Sequence, residues 1–105
     1  MVEARISIPE TSVADFCRRW KVTELSLFGS VLREDFGPDS DVDVLVSFAD
    51  DAHWTLLDLV RTEEELAAIV GRKVDLVERA AVERSENYIR RKRILREAEV
   101  VYGTR

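Results

Sequence analysis

The stretch Leu27-Phe28-Gly29-Ser30-Val31-Leu32-Arg33-Glu34-Asp35-Phe36-Gly37-Pro38-Asp39-Ser40-Asp41-Val42-Asp43-Val44-Leu45-Val46 joins a strand end, a Gly-Ser turn, a ten-residue spacer and a second strand that opens on two acids. Strand side chains alternate with period two, so Asp41, Asp43, Leu45 and Ser47 share one face and Val42, Val44, Val46 and Phe48 the other. Two carboxylates therefore project together beside a glycine. A further acidic strand, Lys73-Val74-Asp75-Leu76-Val77, can add Asp75 to the pair. Three carboxylates next to a Gly-Ser turn suit a divalent cation and a nucleotide phosphate.

Working outward, Pro9 stands near the first turn of a helix marked by Val13, Phe16, Cys17 and Trp20 at helical spacing, ending near Lys21. The apolar run around Leu25, Leu27 and Phe28 reads as a buried strand that stops at Gly29. Ser30 to Asp35 can form a short helix, and Phe36 to Ser40 has the composition of a loop. The second strand is expected from Asp41 to about Phe48. The longest helical pattern covers Trp54 to Val70 and ends naturally at Gly71. A third strand over Lys73–Val77, a helical turn over Ala80–Arg84, a basic helix over Asn87–Glu97 and a strand over Glu99–Tyr102 complete the reading. Helices alternating with strands predict an α/β or α+β fold, a small mixed β-sheet flanked by helices.

Bulk properties bound the function. The 105 residues are expected to form one domain, 1–105, without room for a separate substrate domain, so a partner should supply the second half of the site. With 46% hydrophobic and 35% charged residues, global disorder is excluded. A net charge of −5 weighs against an extended nucleic-acid surface and direct nucleic-acid binding. No apolar run approaches a membrane span, and Cys17 has no second cysteine to pair with, so a cytoplasmic setting is expected. Arg90, Arg91, Lys92, Arg93 and Arg96 crowd one segment, and Glu63, Glu64 and Glu65 form an acidic block. Both read first as solvated helix faces, and a basic face for an acidic partner or for phosphates is the lesser reading.

The residue chemistry carries the argument further. A hard cation such as Mg²⁺ takes a few carboxylates and fills its octahedron with water and substrate phosphate. Clustered carboxylates repel one another unless a cation compensates, whereas a single Asp-x-Asp could simply face solvent. Glycine lets the backbone approach a phosphate, and a serine at a helix start offers a hydroxyl beside free N–H groups. Alone, that pair would be a tight turn with a capping serine. Arg33 could reach phosphate or pair with Asp35 or Asp39, and Lys73 could meet a triphosphate or remain a solvated edge residue. His53 reads as a surface or capping residue, and Trp20 and Trp54 as core or interface aromatics.

With the Gly-Ser, ten residues and Asp-x-Asp in that order, the segment resembles the signature of the minimal nucleotidyltransferases of the DNA polymerase beta superfamily. The likeness extends through Leu57-Asp58-Leu59, Gly71-Arg72-Lys73-Val74-Asp75-Leu76-Val77 and Ile89 to Ala98. In length and pattern it is similar to the MntA-like antitoxins, small proteins commonly paired with a HEPN-domain toxin. The resemblance implies a nucleotidyltransferase fold and transfer of AMP from ATP to a tyrosine of the toxin. Carried over by position, it implies that Asp41 and Asp43 bind Mg²⁺, that Gly29 and Ser30 hold the triphosphate, and that Asp75 completes the metal-binding set and helps deprotonate the hydroxyl. A non-catalytic antitoxin that masks its toxin, or an enzyme acting on a small molecule such as an aminoglycoside, stands as the alternative. The oligomeric state is left open.

Overall fold

Four strands pair in the order β3-β2-β1-β4, with β1 at Val22–Phe28, β2 at Val42–Phe48, β3 at Val74–Glu78 and β4 at Glu99–Gly103. The computed structural model describes residues 8–32, 37 and 40–103, leaving aside the side chains of Ser30 and Val31. β1 runs antiparallel to β2 and β4, whereas β2 and β3 are parallel. Parallel neighbours need a crossover, and here it is α2, Leu56–Val70. The helices α1 at Glu10–Arg19, α3 at Arg79–Glu83 and α4 at Tyr88–Glu97 complete a mixed α+β architecture.

The expected elements appear within a residue or two of their anticipated ends. Asp41 stands just ahead of β2 instead of opening it, although the Val42 N–H already donates to the Lys73 carbonyl at 2.9 Å. Only a 3₁₀ turn, Gly29–Leu32, is described where a longer helix to Asp35 was anticipated; residues 33–36 lie outside the described residues. The start of α2 moves from Trp54 to Leu56 because Thr55 caps it. Its hydroxyl accepts from the Asp58 N–H at 3.1 Å while the Asp58 carboxylate accepts from the Thr55 N–H at 2.9 Å. The Thr55 N–H first, and the Thr55 hydroxyl second, hold the Asp58 carboxyl below its ordinary pKa. Gly71 ends the helix in the left-handed conformation, with φ 74°.

The two faces of the sheet are covered differently. Val42, Val44 and Val46 pack with Leu25, Leu27 and Val74 against Val13, Phe16, Cys17 and Leu66 of α1 and α2. On the opposite face Phe28 and Leu45 meet Val82, Ile94 and Ala98, from α3, α4 and the residue after α4. Burial raises the Cys17 thiol to a pKa of about 12, so it behaves as a small core hydrophobe.

The acidic block on α2 departs from a uniformly solvated face. Glu63 accepts the Leu76 N–H at 2.8 Å, which closes part of the exposed edge of β3. Glu65 pairs with Arg19 and accepts from the Trp20 indole at 3.1 Å. Trp20 in turn stacks edge-on with Trp54 at 5.1 Å between ring centroids, which makes both tryptophans structural. Of the three, Glu64 is exposed and Glu63 and Glu65 are half-buried. Among the described residues, no helix is long and apolar enough to cross a membrane.

Candidate active site

The pairing register assembles what the sequence spreads over nearly fifty residues. Asp43 lies opposite Phe28 on β1 and opposite Asp75 on β3, so the two acids and the residue before Gly29 come to one face and one end of the sheet. Gly29 has φ 75°, and a Cβ there would run into the Asp43 carboxylate. Both features require glycine: a side chain would strain the turn and push Asp43 aside. The Gly-Ser turn is therefore packed directly on the second acid of the Asp-x-Asp pair. Ser30 belongs to the same turn by its backbone, but its side chain lies outside the described residues, as do Arg33, Asp35 and Asp39.

Asp41 and Asp43 are half-buried, and Asp75, on the edge strand, is exposed. Asp43 also makes further interactions of its own. Among the described residues, no group of three His, Cys, Asp or Glu side chains stands close enough to enclose a cation. The expected convergence of three carboxylates thus falls short of a closed cage. The physical reason is positional: Asp43 and Asp75 are register neighbours, while Asp41 lies two residues away along the chain, ahead of the strand. An all-oxygen donor set of this open kind still fits Mg²⁺, which takes one or two carboxylates and completes its shell with water and phosphate.

An arginine that the sequence did not single out organises the approach to the acids. The Arg72 guanidinium donates to the Gly37 carbonyl at 2.6 Å and to the Ser40 carbonyl at 3.0 Å. Ser40 immediately precedes Asp41, and Arg72 lies three residues before Asp75. One side chain therefore ties the loop between the Gly-Ser turn and β2 to the start of β3. Its only sequence signal is its place after the helix-ending Gly71, which many solvated arginines share.

Other sequence candidates fall outside this cluster. Lys73 is exposed beside the edge strand. His53 is exposed and lines a cleft with Phe48 and Glu78, at the opposite strand ends from Asp43 and Asp75. The basic segment on α4 divides. Arg91 donates to the Ser85 carbonyl at 3.0 Å and lies over the Tyr88 ring, and Lys92 lies over the same ring. Arg90 and Arg93 instead line a cleft of about 520 Å³ that also includes Gly29.

Comparison with known proteins agrees with this geometry. The family model described as a nucleotidyltransferase domain matches residues 10–100. A protein adenylyltransferase, MntA, from Thermococcus cleftensis is 41% identical over 64 residues, covering 61% of this chain and 63% of that protein. The chain thus spans a little over three fifths of that relative's length. A solved structure provisionally described as a minimal nucleotidyltransferase is 33% identical, with a TM-score of 0.65 and 86% of each chain covered. A complex of a tri-AMPylated Shewanella oneidensis HEPN toxin with its MNT antitoxin matches in fold, with 24% identity and a TM-score of 0.60, over 90% of this chain and 70% of that one. The chain belongs to the nucleotidyltransferase domain family and has its fold.

Proposed function

We propose that this protein is a Mg²⁺-dependent protein adenylyltransferase that moves AMP from ATP to a tyrosine hydroxyl of a partner HEPN-type toxin and so acts as its antitoxin. The observation that carries the reading is the register that sets Asp43 between Gly29 and Asp75 on one sheet face. The adenylyltransferase name of the Thermococcus cleftensis relative and the AMPylated toxin of the Shewanella oneidensis complex support the donor and the acceptor.

In this reading Asp41 and Asp43, with Asp75, hold Mg²⁺ together with the nucleotide, and Gly29 and Ser30 receive the triphosphate. When bound, the cation supplies charge neutralisation at the reacting phosphate. Gly29 leaves the backbone bare where the anion approaches, and the first N–H groups of the turn offer donors. Asp75, exposed at the sheet edge, is open to a hydroxyl presented by another protein and accepts its proton. The tyrosine oxygen bonds to the α-phosphorus as the bond to the bridging oxygen breaks, and pyrophosphate leaves in line with the attack. Arg72 keeps the Asp41 approach in place while this happens.

The test is an assay with purified protein, ATP, Mg²⁺ and a HEPN-domain protein, sought first among the products of neighbouring genes. Intact-mass measurement should register one or more AMP additions on a toxin tyrosine. Asp43→Asn should lower the rate on the order of a thousandfold or more, since it removes a charge at the reacting centre. An unmodified toxin with the wild-type protein would sink the reading. Neutralisation in cells that survives Asp43→Asn would point to masking by binding.

A further inference from the structure

The cleft beside Gly29 has one wall from the Phe28–Gly29 turn and the other from α4. Ile94 is buried against the core that includes Phe28 and Leu45, which anchors the helix over the acid-bearing face of the sheet. Arg90 and Arg93 are three residues apart, so they rise from the same side of α4, into this cleft. Both are exposed, and among the described residues neither guanidinium has a carboxylate partner. Their neighbours Arg91 and Lys92 are occupied by Ser85 and Tyr88, and Arg96 lines a different cleft, so Arg90 and Arg93 are the cations of the segment that share a cleft with Gly29. Among the described residues, Glu97, one turn beyond Arg93, is the only carboxylate in the lining, and the two guanidiniums outnumber it.

We infer that Arg90 and Arg93 form an anion subsite for the outer phosphates of the bound nucleoside triphosphate, the part that departs as pyrophosphate. The inference rests on the nucleotidyltransferase reading above. Guanidinium groups match phosphate oxygens through paired N–H donors and stay charged at all working pH values. A triphosphate seated on the Gly29 turn has its outer phosphates free to extend into the adjoining cleft, where the local charge is positive. An acidic segment of a partner protein is the competing occupant. The shared Gly29 wall favours the nucleotide, because it joins this cleft to the turn next to Asp43.

The measurement is calorimetric binding of ATP with Mg²⁺, and separately of the toxin, to the wild-type protein, to the double variant Arg90→Ala/Arg93→Ala and to Glu97→Gln. All three substituted residues are exposed, and unchanged melting curves confirm that the variants fold. The double variant should weaken ATP about tenfold or more and leave toxin affinity within about twofold. Glu97→Gln should tighten ATP by removing the opposing charge. If the wild-type protein binds ATP and the double variant binds it equally well, the subsite is wrong while the catalytic reading stands. Loss of toxin binding with ATP binding retained assigns the arginines to the partner and likewise overturns it. A wild-type protein that fails to bind ATP removes both.

Discussion

The two faces of one sheet carry different tasks. On one, Val42, Val44 and Val46 are covered by α1 and α2 in an apolar core, and the buried Thr62 of α2 turns its hydroxyl back to the Asp58 carbonyl of its own helix. On the other, Leu45 and Phe28 are covered by α3 and α4, while toward the strand ends Asp43 is half-buried beside Gly29 and Asp75 is exposed. On β2, Val42, Val44 and Val46 serve one core, Leu45 serves the other, and Asp43 serves the site. The strand alternation lets a small domain hold charged groups at fixed spacing, because the opposite face supplies the burial that holds the strands still.

Core and site can be separated by substitution, beginning with the largest expected effect. Leu66→Ala, beneath the covered face at 1% exposure, should cost about 2–5 kcal/mol of unfolding free energy. Denaturant titration reads it, and the folded fraction should keep its native nucleotide affinity. Loss of that affinity in fully folded protein would mean that the two faces are not independent. Gly29→Ala should act in the opposite proportion. Its left-handed backbone and the Asp43 contact predict a smaller destabilisation, about 1–3 kcal/mol, with nucleotide binding lost. A variant that binds ATP normally would break the link between the turn and Asp43.

The smallest effect concerns pH. Pairing with Arg19, then the Trp20 indole bond, holds the Glu65 carboxyl below its ordinary value of 4.5. A depressed folded-state pKa adds stability above the unfolded value, and that stability is lost as pH falls through the folded one. Melting temperatures followed downward from pH 5 should therefore fall less steeply in Glu65→Gln than in the wild type. The pair is partly exposed, so the difference should shrink in high salt. Identical slopes would remove this contact from the α1–α2 packing that supports the apolar face.

Much of this was legible along the chain because its signals are local. Gly71 after an apolar periodic run ends a helix wherever it occurs, and Val-rich alternation after Ser40 specifies a strand and its two faces. The acid block misleads for the complementary reason. Glu63 and Glu65 look like any solvated helix face until β3 brings an unpaired Leu76 N–H to one and α1 brings Arg19 to the other. Arg72 carries no distinctive sequence signal because its acceptors are two backbone carbonyls more than thirty residues away, and carbonyls leave no mark in a sequence. Likewise nothing within the run Arg90 to Arg93 separates the residues held by Tyr88 and Ser85 from those facing Gly29.

The sequence by itself determined the elements, the family and the set of acids, since helix caps, strand alternation and the Gly-Ser to Asp-x-Asp spacing are properties of short stretches of chain. The tertiary structure decided which of those acids are neighbours: strand register sets Asp43 against Gly29 and beside Asp75 and leaves Asp41 just outside the strand. It also decided which cations share a cleft with Gly29. Pairing between distant strands and the seating of α4 depend on burial summed over the whole fold, and no local pattern encodes that sum.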